Sequence, residues 1–273
     1  MSKNKKTILV DCGNTYLKWC LFDGTNLTQQ QRLFHADTSE LEAFKSLIDN
    51  HSTDCNSIVM VSVLGDVFAS GAKLLAENAQ LNFLDVKSEK YLGDIVNAYT
   101  EPEKLGSDRL VAMVGAYEML EDNEACIVID SGTATTIDAL DNTGQHLGGV
   151  IFPGFALNLK GLSNNTHLLP NFDVEKQQIQ NQGLAKNTPD AIASGCLLSL
   201  ASAIDGICNK MKSHIERVNQ DSDSRNIIVK RILCGGATEV LLPHLENEYV
   251  CQENLIMIGL KSLSLKEQQR KDD

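Results

Sequence analysis

The 273-residue sequence contains no GxxxxGK[ST] run, no GxGxxG run and no G-x-S-x-G elbow, which removes the P-loop, Rossmann and α/β-hydrolase readings. Its six histidines, at 35, 51, 146, 167, 214 and 244, show neither HxxxH nor HExxH spacing, so no catalytic zinc is expected. Eight cysteines stand at 12, 20, 55, 126, 196, 208, 234 and 251 without a single CxxC, and most are read as small core residues. No apolar run approaches the roughly 18–20 residues a membrane helix needs, and no membrane partner is expected. Basic residues are outnumbered 24 to 36 by acidic ones, for a formal net charge of −12. Phosphate-backbone binding depends on clustered Lys and Arg, so no nucleic-acid partner is expected either. Five prolines, 42% hydrophobic and 22% charged residues describe an ordinary folded chain and exclude collagen, coiled coil and disorder. The start, Met1 to Lys6, is basic, but the apolar stretch Ile8 to Val10 stops at Asp11, short of the roughly 7–15 apolar residues of an export signal. A cytoplasmic, reducing location is expected.

The length fits one large domain or two of about 100–150 residues, and the pattern favours two. Thr7 to Asp11 and Tyr16 to Phe22 read as strands around a Gly-Asn turn, with Leu27 to Phe34 as a third strand. A helix over Ser39 to Ile48, capped by Thr38 or Ser39, a strand over Ser57 to Val63 and a helix over Val67 to Asn78 follow. The pattern restarts after residue 124. Cys126 to Ile129, Ala134 to Leu140 and His146 to Phe152 read as strands, Asp190 to Val218 as a long helix, and Arg231 to Leu233 as a late strand. Lys266 to Asp273 reads as a frayed tail. A strand ending in Asp-x-Gly occurs at Asp11 and again at Asp130, and each is followed by a returning strand. Such an internal duplication implies two similar lobes with a cleft between them. The expected lobes are residues 1–118 and 119–273.

Both turns have the chemistry of anion binding. In Asp11-Cys12-Gly13-Asn14-Thr15 a glycine lets backbone N–H groups approach an anion, and the threonine adds a hydroxyl. An Asp at a strand end suits a hydrated divalent cation beside phosphate oxygens. Taken alone, the segment reads first as a plain hairpin turn in which Asp11 satisfies its own backbone. A second copy in Asp130-Ser131-Gly132-Thr133 shifts the reading to two turns gripping a polyphosphate. A third segment, Tyr99 to Arg109, leads into a helix over Asp108 to Leu120, where Ser107 or Asp108 serves as a good N-cap. The same Asp-Arg pair can accept a hydroxyl proton and grip a carboxylate bidentately. Trp19 is read as a core residue rather than a base-stacking platform.

The paired phosphate turns resemble those of the acetate/sugar kinase, Hsp70 and actin superfamily. The ordered set narrows this further: DxGNT at 11–15, LGxDR at 105–109 after Tyr99 and Pro102, DSGTATT at 130–136, Gly148 to Gly154, and Asn187 to Ile192. Together, from residue 8 to about 260, the chain resembles the type III pantothenate kinase family, which includes Bvg accessory factor-like proteins. The resemblance implies an α/β fold of two ribonuclease-H-like (actin-like ATPase) lobes with mixed sheets and a nucleotide cleft, and ATP-dependent phosphorylation of pantothenate at the first step of coenzyme A synthesis. It implies that Asp11, Cys12, Gly13, Asn14, Thr15, Tyr16, Leu17 and Lys18 line the ATP phosphates, with Thr133 contacting them from the other lobe. Tyr99, Gly106, Ser107, Asp108, Arg109 and Thr188 would hold pantothenate, with Asp108 as general base. Asp130 would bind K⁺ or NH₄⁺, Mg²⁺ would accompany ATP, and the protein would be a homodimer. Two positions depart from the family pattern, Cys12 for an apolar or β-branched residue and Ser107 for alanine. Gly235-Gly236 resembles the superfamily's adenosine segment or is a structural turn, and Gly148 to Gly154 is a hinge, a substrate wall or a turn. Two alternatives share the fold: a non-catalytic nucleotide-binding regulator, and a kinase for another small acidic alcohol. The paired Asp108-Arg109 with Tyr99 speaks against the regulator.

Overall fold

The computed structural model describes residues 5–35, 39–164, 185–220 and 227–272. Met1 to Asn4, Thr38 and His167, used in reading the sequence, lie outside these residues. The chain divides into two units, residues 1–119 with 254–273, and residues 120–253. The expected second lobe ran to residue 273, whereas the last helix is grouped with the first unit.

In the first unit the strands are β1 Lys6–Cys12, β2 Tyr16–Phe22, β3 Gln31–Phe34, β4 Cys55–Ser62 and β5 Asn82–Val86, in the order β3-β2-β1-β4-β5. The first three form an antiparallel meander; β4 runs parallel to β1, and β5 parallel to β4. The carboxyl ends of β1, β4 and β5 therefore share one edge of the sheet. The third strand is shorter than the sequence suggests, because Leu27 makes only an isolated bridge to Phe22 before the chain reaches Gln31.

Alternate residues of β1 and β4 fix the layers. Ile8, Val10, Cys12, Ile58 and Met60 pack on Phe44, Leu47 and Ile48 of α1 (Glu40–His51) and on Phe68, Ala72 and Ala76 of α2 (Gly65–Asn78). Trp19 packs against this cluster as expected. Ser39 caps α1, its Oγ accepting from Glu42 N–H. On the other face, where alternation places Leu9, Val59 and Val61, lie α3 (Ser107–Tyr117) and the last helix, α7 (Leu255–Asp272). A Cβ at Gly115 would collide with the Leu255 carbonyl, and one at Gly259 with the Val111 carbonyl, so the two helices cross with their main chains in direct contact. Ser262 Oγ donates to Glu118, and Lys266 pairs with Asp94 and Glu118. The expected frayed tail is thus helix as far as Asp272, anchored by Lys266. A small hairpin, β6 (Tyr91–Leu92) and β7 (Ile95–Val96), precedes α3.

The second unit repeats the plan. Strands β8 (Glu124–Ser131), β9 (Ala134–Leu140), β10 (His146–Pro153), β11 (Ile228–Cys234) and β12 (Val250–Cys251) lie in the order β10-β9-β8-β11-β12. Again three strands are antiparallel, then β11 pairs parallel to β8 and β12 parallel to β11. The duplication inferred from Asp11 and Asp130 is therefore a duplication of topology. The helices α4 (Phe155–Asn164) and α5 (Thr188–Gln220) contribute Phe155, Leu159, Leu197, Leu200 and Ile204 to this core, and α6 (Thr238–Leu241) contributes Leu241. By length and composition α5 is long and apolar enough to cross a membrane, although no unbroken apolar run marks it in the sequence. Its buried stripe lies in the second core instead. Near its middle, Asp205 accepts hydrogen bonds from Glu246 N–H, Asn247 and Tyr249 O–H, tying the segment before β12 to the helix. All eight cysteines are free, and all but Cys251 are buried.

Candidate active site

In open sheets with parallel strands, ligands bind beyond the carboxyl ends of those strands. In the first unit that edge carries two of the predicted segments. Asp11 and Cys12 end β1, and the chain turns through Gly13, Asn14 and Thr15 into β2, with Gly13 N–H donating to the Tyr16 carbonyl. Asp11 is buried and faces Lys18 of β2, its cross-strand partner, at 3.6 Å. The side chains of Cys12 and Leu17 belong to the core, so these two could meet a ligand only through their main chain. Burial, reinforced by the negative charges of Asp11 and Asp85, pushes the Cys12 thiol up, and it stays a neutral packing group. The Tyr16 ring packs edge-on to Phe34 and lies under the Arg32 guanidinium.

The second segment starts α3 at the same edge. Ser88, two residues beyond β5, donates its N–H to Ser107 Oγ at 3.0 Å and its Oγ–H to the Pro102 carbonyl. Gly106, not Ser107 or Asp108, is the N-cap of α3; Ser107 is spent on Ser88, and Asp108 Oδ1 accepts from Arg109 N–H at 2.8 Å. A Cβ at Gly106 would lie 2.6 Å from Asp108 Oδ1, so the glycine leaves room for that carboxylate. Arg109 is buried, with Nη1 donating to Tyr99 O–H at 3.1 Å and its guanidinium 5.9 Å from the centre of the Tyr99 ring. Tyr99 is held in turn by fully buried Asn97, whose Oδ1 accepts from Tyr99 N–H while its Nδ2 donates to the Glu89 and Pro102 carbonyls. Sequence reasoning missed Ser88 and Asn97. The one available signal was Asn97 interrupting the apolar run Ile95-Val96 just before Tyr99.

The second unit builds its turn from three pieces at its own carboxyl edge. β8 ends in Asp130 and Ser131, and Ser131 Oγ hydrogen-bonds buried Thr135. Gly154 N–H donates to the Thr133 carbonyl, and a Cβ at Gly154 would collide with the carbonyls of Gly132 and Thr133. Gly235, at φ +95°, packs against Asp130 Oδ1 and the Ser131 carbonyl, and Ala237 N–H donates to that carbonyl. Gly154 and Gly235 thus pack directly on the Asp130–Thr133 turn, whereas Gly148 to Pro153 belong to strand β10. Thr133 is exposed. Among the described residues no three His, Cys, Asp or Glu side chains cluster as metal ligands. What Asp130 offers is a carboxylate beside a backbone carbonyl, an oxygen donor set of the kind that hard cations accept. Thr188 opens α5, exposed, next to an Asn187 N-cap that exchanges hydrogen bonds with Asp190. The structure therefore brings Tyr99 together with 106–109, and 130–133 together with Gly154 and Gly235, while Thr188 belongs to the other unit.

The family model described as type III pantothenate kinase matches residues 7–210. A type III pantothenate kinase of Herminiimonas arsenicoxydans is 36% identical over 267 residues, covering 94% of this chain and 97% of that protein. Another, from Janthinobacterium sp. (strain Marseille), is 32% identical over 269 residues with the same coverage. Among solved structures, a Baf family protein of Campylobacter jejuni superposes with a TM-score of 0.55 at 20% identity, over 96% of this chain and 99% of that one. MreB 5 of Spiroplasma citri, solved with AMPPNP, gives 0.55 at 9% identity over 98% of each chain. These two likenesses show the fold, that of the actin-like ATPases. With the paired turns, the Asp-Arg helix start and the relatives in agreement, the chain belongs to the type III pantothenate kinase family.

Proposed function

We propose that this chain transfers the γ-phosphoryl group of ATP to the primary hydroxyl of pantothenate, giving 4'-phosphopantothenate for coenzyme A synthesis. The observation that carries the reading is the start of α3, where consecutive residues supply a carboxylate held by a main-chain N–H and a buried guanidinium held by Tyr99, on the sheet edge that also holds the 11–15 turn. Phosphoryl transfer is mostly positioning and charge stabilisation, with a carboxylate to receive the hydroxyl proton. In this reading Asp108 takes that proton, Arg109 grips the pantothenate carboxylate, and Tyr99 keeps the guanidinium in place. Gly106 and Ser107 contact the substrate beside Asp108, and Thr188 is assigned to the substrate as well. The turns at 11–18 and 130–133, with the Thr133 hydroxyl, bind phosphate oxygens through main-chain N–H groups. Mg²⁺ arriving with ATP and K⁺ or NH₄⁺ at Asp130 would supply positive charge to the phosphates. A homodimer in the cytoplasm belongs to the same proposal. ADP release, followed in a coupled assay with MgATP and pantothenate, tests the reaction, and omitting K⁺ and NH₄⁺ tests Asp130. Turnover that needs the cation is expected. No turnover on pantothenate, with ATP still bound, would refute the substrate.

A further inference from the structure

We infer that His35 is a positioning residue that orients the 13–15 turn for phosphate, an inference that rests on the ATP reading of that turn. His35 sits one residue past edge strand β3, with 2% of its surface exposed. Its ring Nε2 lies 2.8 Å from the Gly13 carbonyl. A carbonyl can only accept, so Nε2 carries the proton and donates. Its main-chain N–H donates to the Thr15 carbonyl at 3.2 Å. One residue thus holds the carbonyls on both sides of Asn14.

The consequence follows from peptide geometry. In a planar trans peptide the C=O and the next residue's N–H point in opposite directions. Drawing the Gly13 carbonyl toward the imidazole turns the Asn14 N–H away from it. Gly13's own N–H is spent inside the turn on the Tyr16 carbonyl. The Asn14 amide is therefore the donor that the His35 ring aims, and outward-facing turn amides are what an anion binds.

A second observation sets His35 apart from a residue that merely fills space. The other ring nitrogen, Nδ1, is buried with no hydrogen-bond partner among the described residues. Buried polar atoms are nearly always paired, and an exception calls for an explanation. An aliphatic side chain would fill the volume without leaving such an atom. The orphaned Nδ1 accompanies the placement of one donor under Gly13.

Two variants of the full chain separate the donor from the ring. His35→Phe keeps a ring without the donor, and His35→Gln keeps a side-chain N–H without the ring. MgATP affinity is measured by calorimetry, with the KM for pantothenate and the melting temperature measured alongside. His35→Phe is expected to weaken MgATP binding about five- to tenfold, as loss of one ordering hydrogen bond would, with the KM for pantothenate changed less than about twofold. His35→Gln is expected to bind MgATP within about twofold of the parent. Native MgATP affinity in the Phe variant overturns the role. So does weakened binding in the Gln variant, or a fall in both variants that tracks melting temperature and affects both substrates alike. If Phe does not fold, the Gln variant decides alone. Absence of turnover in the parent protein would overturn the pantothenate reading separately, since MgATP affinity is read without turnover.

Discussion

Asp108 and Arg109 are neighbours in the chain yet are held by different partners, and each gives its own prediction. The Asp108 carboxylate is fixed by a main-chain N–H and by the room Gly106 leaves. Asp108→Asn keeps that hydrogen bond and removes the proton acceptor. It should lower kcat by about 10²–10⁴ while MgATP affinity stays at the parent value, and retained turnover would count against the base. The Arg109 guanidinium is fixed by the Tyr99 hydroxyl, and a lysine offers neither the fork nor the reach. Arg109→Lys should raise the KM for pantothenate about 10- to 100-fold and leave the KM for ATP alone. The residue types and their order could be read from the sequence, because Asp-Arg at a helix start and Asp-x-Gly after a strand are local patterns. Their supports could not. Asn97 and Ser88 act through hydrogen bonds to partners spaced irregularly along the chain, from Tyr99 to Glu89, Pro102 and Ser107, and no local spacing encodes those.

The strand meanders and the first two helices follow from periodicity and turn residues, which is why the sequence reading found them. What periodicity shows is that a helix has an apolar face, and it is silent on which partner covers it. The crossing of α3 and α7 is such a case. At Gly115 and Gly259 the facing main chains leave no space for a methyl group. Gly115→Ala should cost about 1–3 kcal/mol of stability, read as a lower urea midpoint. Gly235 is constrained twice, by φ +95° and by Asp130 Oδ1. Gly235→Ala should destabilise the protein and, by displacing Asp130, weaken the proposed activation by K⁺ or NH₄⁺ in the coupled assay. The tie from α5 to the segment before β12 predicts a pH dependence. Burial would raise the Asp205 carboxyl, but the Glu246 N–H, the Tyr249 hydroxyl and Asn247 outweigh it and hold the group below its ordinary value of 3.8. Its contribution is therefore complete above that value and is lost as the pH falls through the depressed one. Asp205→Asn should lower the urea midpoint at neutral pH, and its deficit relative to the parent should shrink on acidification toward pH 3.

The duplicated plan was visible as two Asp-x-Gly turns and is realised as two sheets with the same strand order. The division between units was less visible. A cut near residue 118 follows from assuming that each copy keeps its own elements, whereas the helix that follows the fifth strand of the second copy is grouped with the first unit. That grouping sets an order of assembly during synthesis. The sheet face bearing Leu9, Val59 and Val61 is complete in sequence early, but one of the two helices that cover it is translated only after all of 120–253. At about 5–20 residues per second the wait is on the order of ten seconds. Through that interval the emerging chain presents a half-covered apolar sheet to chaperones and proteases. A ribosome-stalled chain ending at residue 253 should be cleaved within 1–119 by a protease that spares the released protein.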